Sequence, residues 1–228
     1  MAIPVKSFTD RLILHHRVIT IGGLAVIAHG YGRHTEDADI WLEPMASAAE
    51  WAVAVERICG EFSGVTIHRL PGWVQVSGLE LANAIEETGL VRICGLTTPL
   101  DIFRRPNEFE ESAFNEVAER AKRVGDGSFL PDPLDLIRSK LETGREKDLR
   151  DIQHLESLVR ADYKKRLPTA TRAEAQDMLE RFSDWEVLVV AMENASPEVK
   201  ELAMSHLREF AAAGDPFSQA ILEGRELP

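Results

Sequence analysis

The sequence predicts an α/β (α+β) domain over residues 1–165 followed by a helical tail over 166–228. Three observations predict this. Residues Ala38, Ile40 and Leu42 alternate with Asp37, Asp39 and Trp41, the two-residue period of a strand. The stretches 64–76 and 90–103 are rich in β-branched and apolar residues, with segments of helical period between them. From Pro106 onward the pattern turns helical and stays so.

In chain order, residues 5–20 read as a short helix or mixed segment, with His15 and His16 as ordinary histidines lacking a partner one turn away. A strand or buried helix begins near Ile19 and runs into Gly22-Gly23, where backbone without side chains can turn sharply or approach a bound group. Ser47 to Gly60 is a helix whose Trp51, Val55 and Ile58 follow the spacing of a buried stripe. Residues 64–76 are two short strands around Leu70-Pro71-Gly72, and Leu79 to Glu87 is a helix closed by Gly89. The segment LVRICGLTTPLDIF then reads as one strand signal carrying Asp101 between Leu100 and Ile102.

Asn107 to Val124 reads as a helix with Phe109, Phe114, Val117 and Ala121 on one face. The loop 125–133 is the best internal boundary of the first 160 residues. Asp132-Pro133 caps a helix over DPLDLIRSKLETG, and a strongly helical run follows from Arg145. There Lys147 and Asp151 stand four apart, and a salt-bridged solvated face is the plain reading of that charge cluster. In the tail, Thr171 and Glu174 are in capping-box register, with helices expected over 172–182, 184–194 and 197–213 and a short one after Gly214-Asp215-Pro216. No internal repeat is evident.

With 228 residues and 44% hydrophobic content the chain can bury a real core. It has no apolar run of membrane-spanning length, and its first residues carry neither a signal nor a transit pattern, so a cytoplasmic protein without membrane partners is expected. Cys59 and Cys94 lack CxxC spacing and read as free thiols. The net charge of -12 argues against a broad nucleic-acid footprint while leaving room for a small basic cleft.

The chemistry concentrates in Gly22 to Leu42. On a strand, Asp37 and Asp39 point to one face about 7 Å apart. Like charges so close disfavour each other unless a cation sits between them, and oxygen-only ligands suit a hard ion, Mg²⁺ or Mn²⁺. The rival reading is an exposed strand end with two solvated acids. If the strand of Asp101 lies beside that of Asp37 and Asp39, three carboxylates converge. Neither G-x-G-x-x-G nor a P-loop is present, and no H-E-x-x-H.

These residues resemble those of the nucleotidyltransferase superfamily, and most closely its small bacterial branch that includes the AbiEii-type toxins. The likeness rests on three blocks in order across residues 17–160. The first is Gly22-Gly23, Gly30, Arg33, Thr35 and the pair Asp37-x-Asp39; the second is Asp101 in PLDIF; the third is the helical block carrying Lys140, Arg145, Lys147, Asp148 and Asp151. Where the superfamily usually has Gly-Ser this chain has Gly22-Gly23-Leu24, which keeps backbone N–H groups but lacks the hydroxyl.

The resemblance implies a mixed sheet with flanking helices and a Mg²⁺ or Mn²⁺ site made by Asp37, Asp39 and Asp101. It implies nucleotidyl transfer from an NTP donor to an RNA (tRNA), protein or small-molecule acceptor, as a toxin with an antitoxin partner. Asp101 would also assist deprotonation of the acceptor. Gly22, Gly23, Arg33, Thr35, Lys140, Arg145 and Lys147 would contact the nucleotide, and Asp148 would fix Lys140 or Arg145 from behind. The competing readings are a catalytically inactive, partner-binding descendant and an unrelated metal-dependent phosphohydrolase.

Overall fold

The computed structural model describes residues 2–107, 109–141 and 143–226. Two compact units divide the chain, Met1–Leu155 and Glu156–Pro228, where the sequence reading puts the boundary at 165/166.

The first unit begins with α1 (Val5–Ile13), β1 (Val18–Ile21), α2 (Gly22–Ala28), β2 (Ala38–Leu42) and α3 (Ala48–Cys59). It continues through β3 (Thr66–Arg69), β4 (Val74–Gln75), α4 (Gly78–Thr88), β5 (Leu90–Cys94) and β6 (Leu100–Phe103). Then come α5 (Ala113–Arg120), β7 (Lys122–Arg123), β8 (Phe129–Leu130), α6 (Pro133–Arg138) and the first half of the long α7 (Glu146–Arg166). The strands form one mixed sheet in the order β4-β3-β5-β6-β2-β1-β8-β7. Strands β2 and β6 are parallel, with Asp39 opposite Asp101, while β5 runs antiparallel to β6, with Arg92 opposite Asp101.

Alternation along the strands decides which face is closed. Ala38, Ile40 and Leu42 of β2, with Val91, Ile93, Leu100 and Ile102, point into a core covered by α1, α3 and α4. Trp51 lies fully buried there. The opposite face carries Ile19, Ile21 and Trp41, covered in part by Phe109, Phe114 and Val117 of the α5 region. Helix α2 packs against Leu136, Ile137 and Leu155 of α6 and α7. The rest of that second face lines a cleft, and Asp39, Asp101 and Arg92 stand on it.

Several local expectations are corrected. The 90–103 segment is two antiparallel strands joined at residues 95–99, so Arg92 folds back beside Asp101. The helix read over 107–124 is confined to Ala113–Arg120, and Glu108 lies outside the described residues. Residues 125–133 are not a boundary: β7 and β8 form a hairpin across them, and β8 extends the sheet beside β1. The helix capped by Asp132 stops at Arg138, although that cap accepts the Leu134 N–H as expected. Cys59 is buried, and burial pushes its thiol up to about 12, whereas Cys94 is only partly covered.

The second unit is helical: the end of α7, a 3-10 turn at Leu167–Thr169, α8 (Arg172–Arg181), α9 (Trp185–Ala191), α10 (Pro197–Ala212) and α11 (Pro216–Glu223). Thr171 and Glu174 close the capping box of α8. Asn194, buried between α9 and α10, donates to the Leu167 and Ala170 carbonyls at 2.6 and 2.9 Å and accepts the Ser196 N–H. Among the described residues no helix is long and apolar enough to cross a membrane.

Candidate metal centre and its cleft

Parallel pairing of β2 and β6 sets Asp39 beside Asp101, and Asp37 stands on the turn entering β2. One oxygen from each of the three carboxylates lies within 4.8 Å of the others, a grouping able to hold a metal ion. The donor set fits a hard divalent cation, since all three ligands are carboxylate oxygens. The metal-free electrostatics fit it too. Burial, then the charges of Asp37 and Asp101, raise the Asp39 carboxyl to about 6 against the opposing pull of Lys140 and the Gly23 N–H. A cation between the acids would relieve that penalty.

The paired glycines serve this carboxylate. Gly22 opens α2 at φ +61, and a Cβ there would lie 2.0 Å from Asp39 Oδ2. A Cβ on Gly23 would lie 2.5 Å from Thr35 Oγ1 and 3.0 Å from Arg33 Nη2. The space the glycines leave is therefore filled by the protein's own Asp39, Thr35 and Arg33. Thr35 donates to the Asp37 carbonyl at 3.2 Å and lies 3.3 Å from its carboxylate, tying down the acidic turn.

On the α6–α7 side lies a buried charge network. Lys140 is 5% exposed, Asp148 1% and Asp151 0%, which overturns the solvated-face reading of these three side chains. Arg33 donates Nε and Nη2 to Asp151, each at 2.8 Å, and Nη1 to the His34 carbonyl. Lys140 Nζ lies 2.9 Å from Asp151 and 3.1 Å from Asp148. Thr143 and Arg145 complete the shell of Asp148 at 2.6 and 2.5 Å. Burial alone would raise the Asp148 carboxyl, but the bonds from Thr143, Arg145 and Lys140 outweigh it and hold it at about 2.

Lys147 does not pair with Asp151, whose oxygens are taken by Arg33 and Lys140. It stands exposed at the cleft with no ion-pair partner among the described residues. The cleft, about 440 Å³, is lined by all three acids and by Gly22, Gly23, Arg33, Thr35, Lys140, Arg145, Lys147 and Asp148.

Reading the sequence missed Arg92. Its Nε and Nη2 each lie 2.5 Å from an oxygen of Asp101, and it stands 3.7 Å from Asp37. Its guanidinium also lies over the Trp73 ring, 4.9 Å from the centroid. The signal was available: Arg92 sits between Val91 and Ile93 as Asp101 sits between Leu100 and Ile102, a charge inside an apolar strand that needs a buried counter-ion. Each Asp101 oxygen retains a lone pair beyond its bond to Arg92. No protein-family profile matches the chain, and no curated protein matches it as a relative.

Proposed function

We propose that this chain is a metal-dependent nucleotidyltransferase of the AbiEii-like kind, with a nucleotidyltransferase-like sheet as its scaffold. It moves a nucleotidyl group from an NTP to the hydroxyl of an acceptor. The observation that carries this reading is the convergence of Asp37, Asp39 and Asp101 at a cleft whose far wall is cationic. The two carboxylates of the buried network face three cations, Arg33, Lys140 and Arg145, and Lys147 adds a fourth that has no ion-pair partner among the described residues. A site for an anionic triphosphate beside a divalent cation needs that separation of signs.

Asp37, Asp39 and Asp101 would hold Mg²⁺ or Mn²⁺, and the bound cation would supply positive charge against the α-phosphate and acidify the acceptor hydroxyl. Lys140, fixed by Asp148 and Asp151, presents its charge without rearrangement, and Arg145 and Lys147 extend it toward the β- and γ-phosphates. Arg33 is held by Asp151 and acts by anchoring that network. Thr35 fixes Asp37, and Arg92 orients Asp101. The acceptor oxygen bonds to the α-phosphorus as the bond to the β-phosphate oxygen breaks, pyrophosphate leaves, and the hydroxyl proton passes to a free lone pair of Asp101.

The test is incubation with each α-labelled NTP, Mn²⁺ or Mg²⁺ and a cell extract, followed by identification of the labelled species. Label transfer with release of pyrophosphate is expected. Orthophosphate release would point to a phosphohydrolase, and no NTP turnover to an inactive, partner-binding descendant. Once an acceptor is found, Asp101→Asn should lower turnover at least about a hundredfold with a smaller loss of NTP affinity. A toxin role with an antitoxin partner belongs to the same proposal, and growth arrest on expression, lost in Asp39→Asn, would support it.

A further inference from the structure

A polar line crosses the open face of the sheet in register: Gln75 of β4, His68 of β3, Arg92 of β5, Asp101 of β6 and Asp39 of β2. Two of the candidate metal-binding acids, Asp101 and Asp39, end that line. To one side, past β1, lie α2, α6 and the first turns of α7 with Lys140, Arg145 and Lys147. To the other side lie Arg92, His68 and the turn joining β3 to β4, which carries Trp73.

Trp73 is unusual on two counts. It is 57% exposed, whereas Trp41 and Trp51 are 1% and 0% exposed. Its φ of 56° makes it the non-glycine residue with positive φ among the described residues, a conformation that a bulky side chain adopts only when its surroundings enforce it. Those surroundings can be named. The Arg92 guanidinium lies over its ring, and His68 Nδ1 meets its carbonyl at 3.2 Å while His68 Nε2 meets Thr66 Oγ1 at 3.0 Å. The indole is thus held against Arg92, which is itself bonded to Asp101, and the exposed part of the side chain is open to solvent.

In-line displacement puts the attacking hydroxyl and the departing pyrophosphate on opposite sides of the α-phosphorus. If the triphosphate lies along Lys140, Arg145 and Lys147, the acceptor enters from the side of Arg92 and Trp73. We propose that Trp73 is the acceptor-positioning residue, a platform on which an unpaired nucleobase at the end of a nucleic-acid strand stacks to bring its hydroxyl to Asp101. This rests on the nucleotidyl-transfer reading. An aromatic face held beside the Arg92 guanidinium suits a base on a phosphate backbone better than an acidic peptide. The net charge of -12 confines such contact to a few nucleotides.

The experiment uses the full chain with Mn²⁺, a fluorescein-labelled six-nucleotide oligoadenylate as probe, and hexaglutamate as competitor. Anisotropy titrations of the parent, Trp73→Ala and Trp73→Phe read RNA binding, and calorimetry with ATP reads the donor site. Trp73→Ala should weaken RNA binding at least about tenfold, Trp73→Phe should retain most of it, and ATP affinity should stay within about twofold. Equal RNA affinity in parent and Trp73→Ala, no RNA binding by the parent, or equally effective displacement by hexaglutamate would each overturn the proposal. Trp73-dependent RNA binding in a protein that transfers no nucleotide would support the platform and overturn nucleotidyl transfer alone.

Discussion

Burial and two neighbouring acids oppose the charge of Asp39 in the metal-free protein. Its carboxyl is raised from the usual range to about 6, first by burial and then by Asp37 and Asp101. Between about pH 4 and pH 6 the folded protein therefore keeps a proton that the unfolded chain has lost. Stability falls as pH rises through that window, by about 3 kcal/mol. Asp39→Asn removes the charge and keeps the shape. In urea unfolding without divalent cations it should match the parent near pH 4 and exceed it at pH 7.5; lower stability at pH 7.5 would mean that Asp39 is held chiefly as a hydrogen-bond acceptor. Millimolar Mn²⁺ should raise the melting temperature of the parent and leave that of Asp39→Asn unmoved. Gly22→Ala should also lose the Mn²⁺ response, because its Cβ takes the place of the Asp39 carboxylate, and it should cost at least about 1–2 kcal/mol for an alanine held at positive φ.

At the scale of elements, the buried network joins three pieces of chain: the 31–37 turn through Arg33, the end of α6 through Lys140, and the first turns of α7 through Asp148 and Asp151. Asp151 is the shared partner. Asp151→Asn should cost about 3–5 kcal/mol in urea unfolding, since it leaves the buried Lys140 and the half-buried Arg33 short of a counter-charge, and a loss under about 1 kcal/mol would mean water reaches that site. Lys140→Ala should weaken NTP binding by about 1–3 kcal/mol while changing AMP binding less. Period and caps made ADIWL, the α3 stripe and the Thr171–Glu174 box readable, because local spacing fixes them. The two-residue strands β7 and β8 are too short to show a period and exist through pairing alone. The same limit hid the network. Lys147 and Asp151 have textual spacing for an ion pair, but Arg33, 118 residues earlier in the chain, takes the aspartate instead. Asp101 beside Asp39 was inferable only conditionally, because strand order is a property of the sheet and not of either strand.

At the scale of the whole chain, 38 acidic residues against 26 Lys and Arg give a net charge of -12, and the proposed donor is itself an anion. Two fields then act on an arriving NTP. Beyond about 10 Å it meets the repulsion of the whole protein, which salt screens; inside the cleft it meets Lys140, Arg145 and Lys147. Association is governed by the first and dissociation by the second. Raising NaCl from about 10 to 200 mM should therefore speed association of a fluorescent NTP analogue with Mg²⁺ in stopped flow, by roughly twofold or more, and speed dissociation as well. The opposite slope, with association slowing as salt rises, would show that the cleft cations focus the field beyond the protein's surface. Lys147→Glu separates the two cases. Its side chain is exposed and unpaired among the described residues, so reversing it adds to the repulsion without breaking the buried network. If net repulsion governs entry, the mutant's association rate is lower at low salt and rises more steeply with NaCl than the parent's. If focusing governs entry, the parent's decline with salt disappears in the mutant.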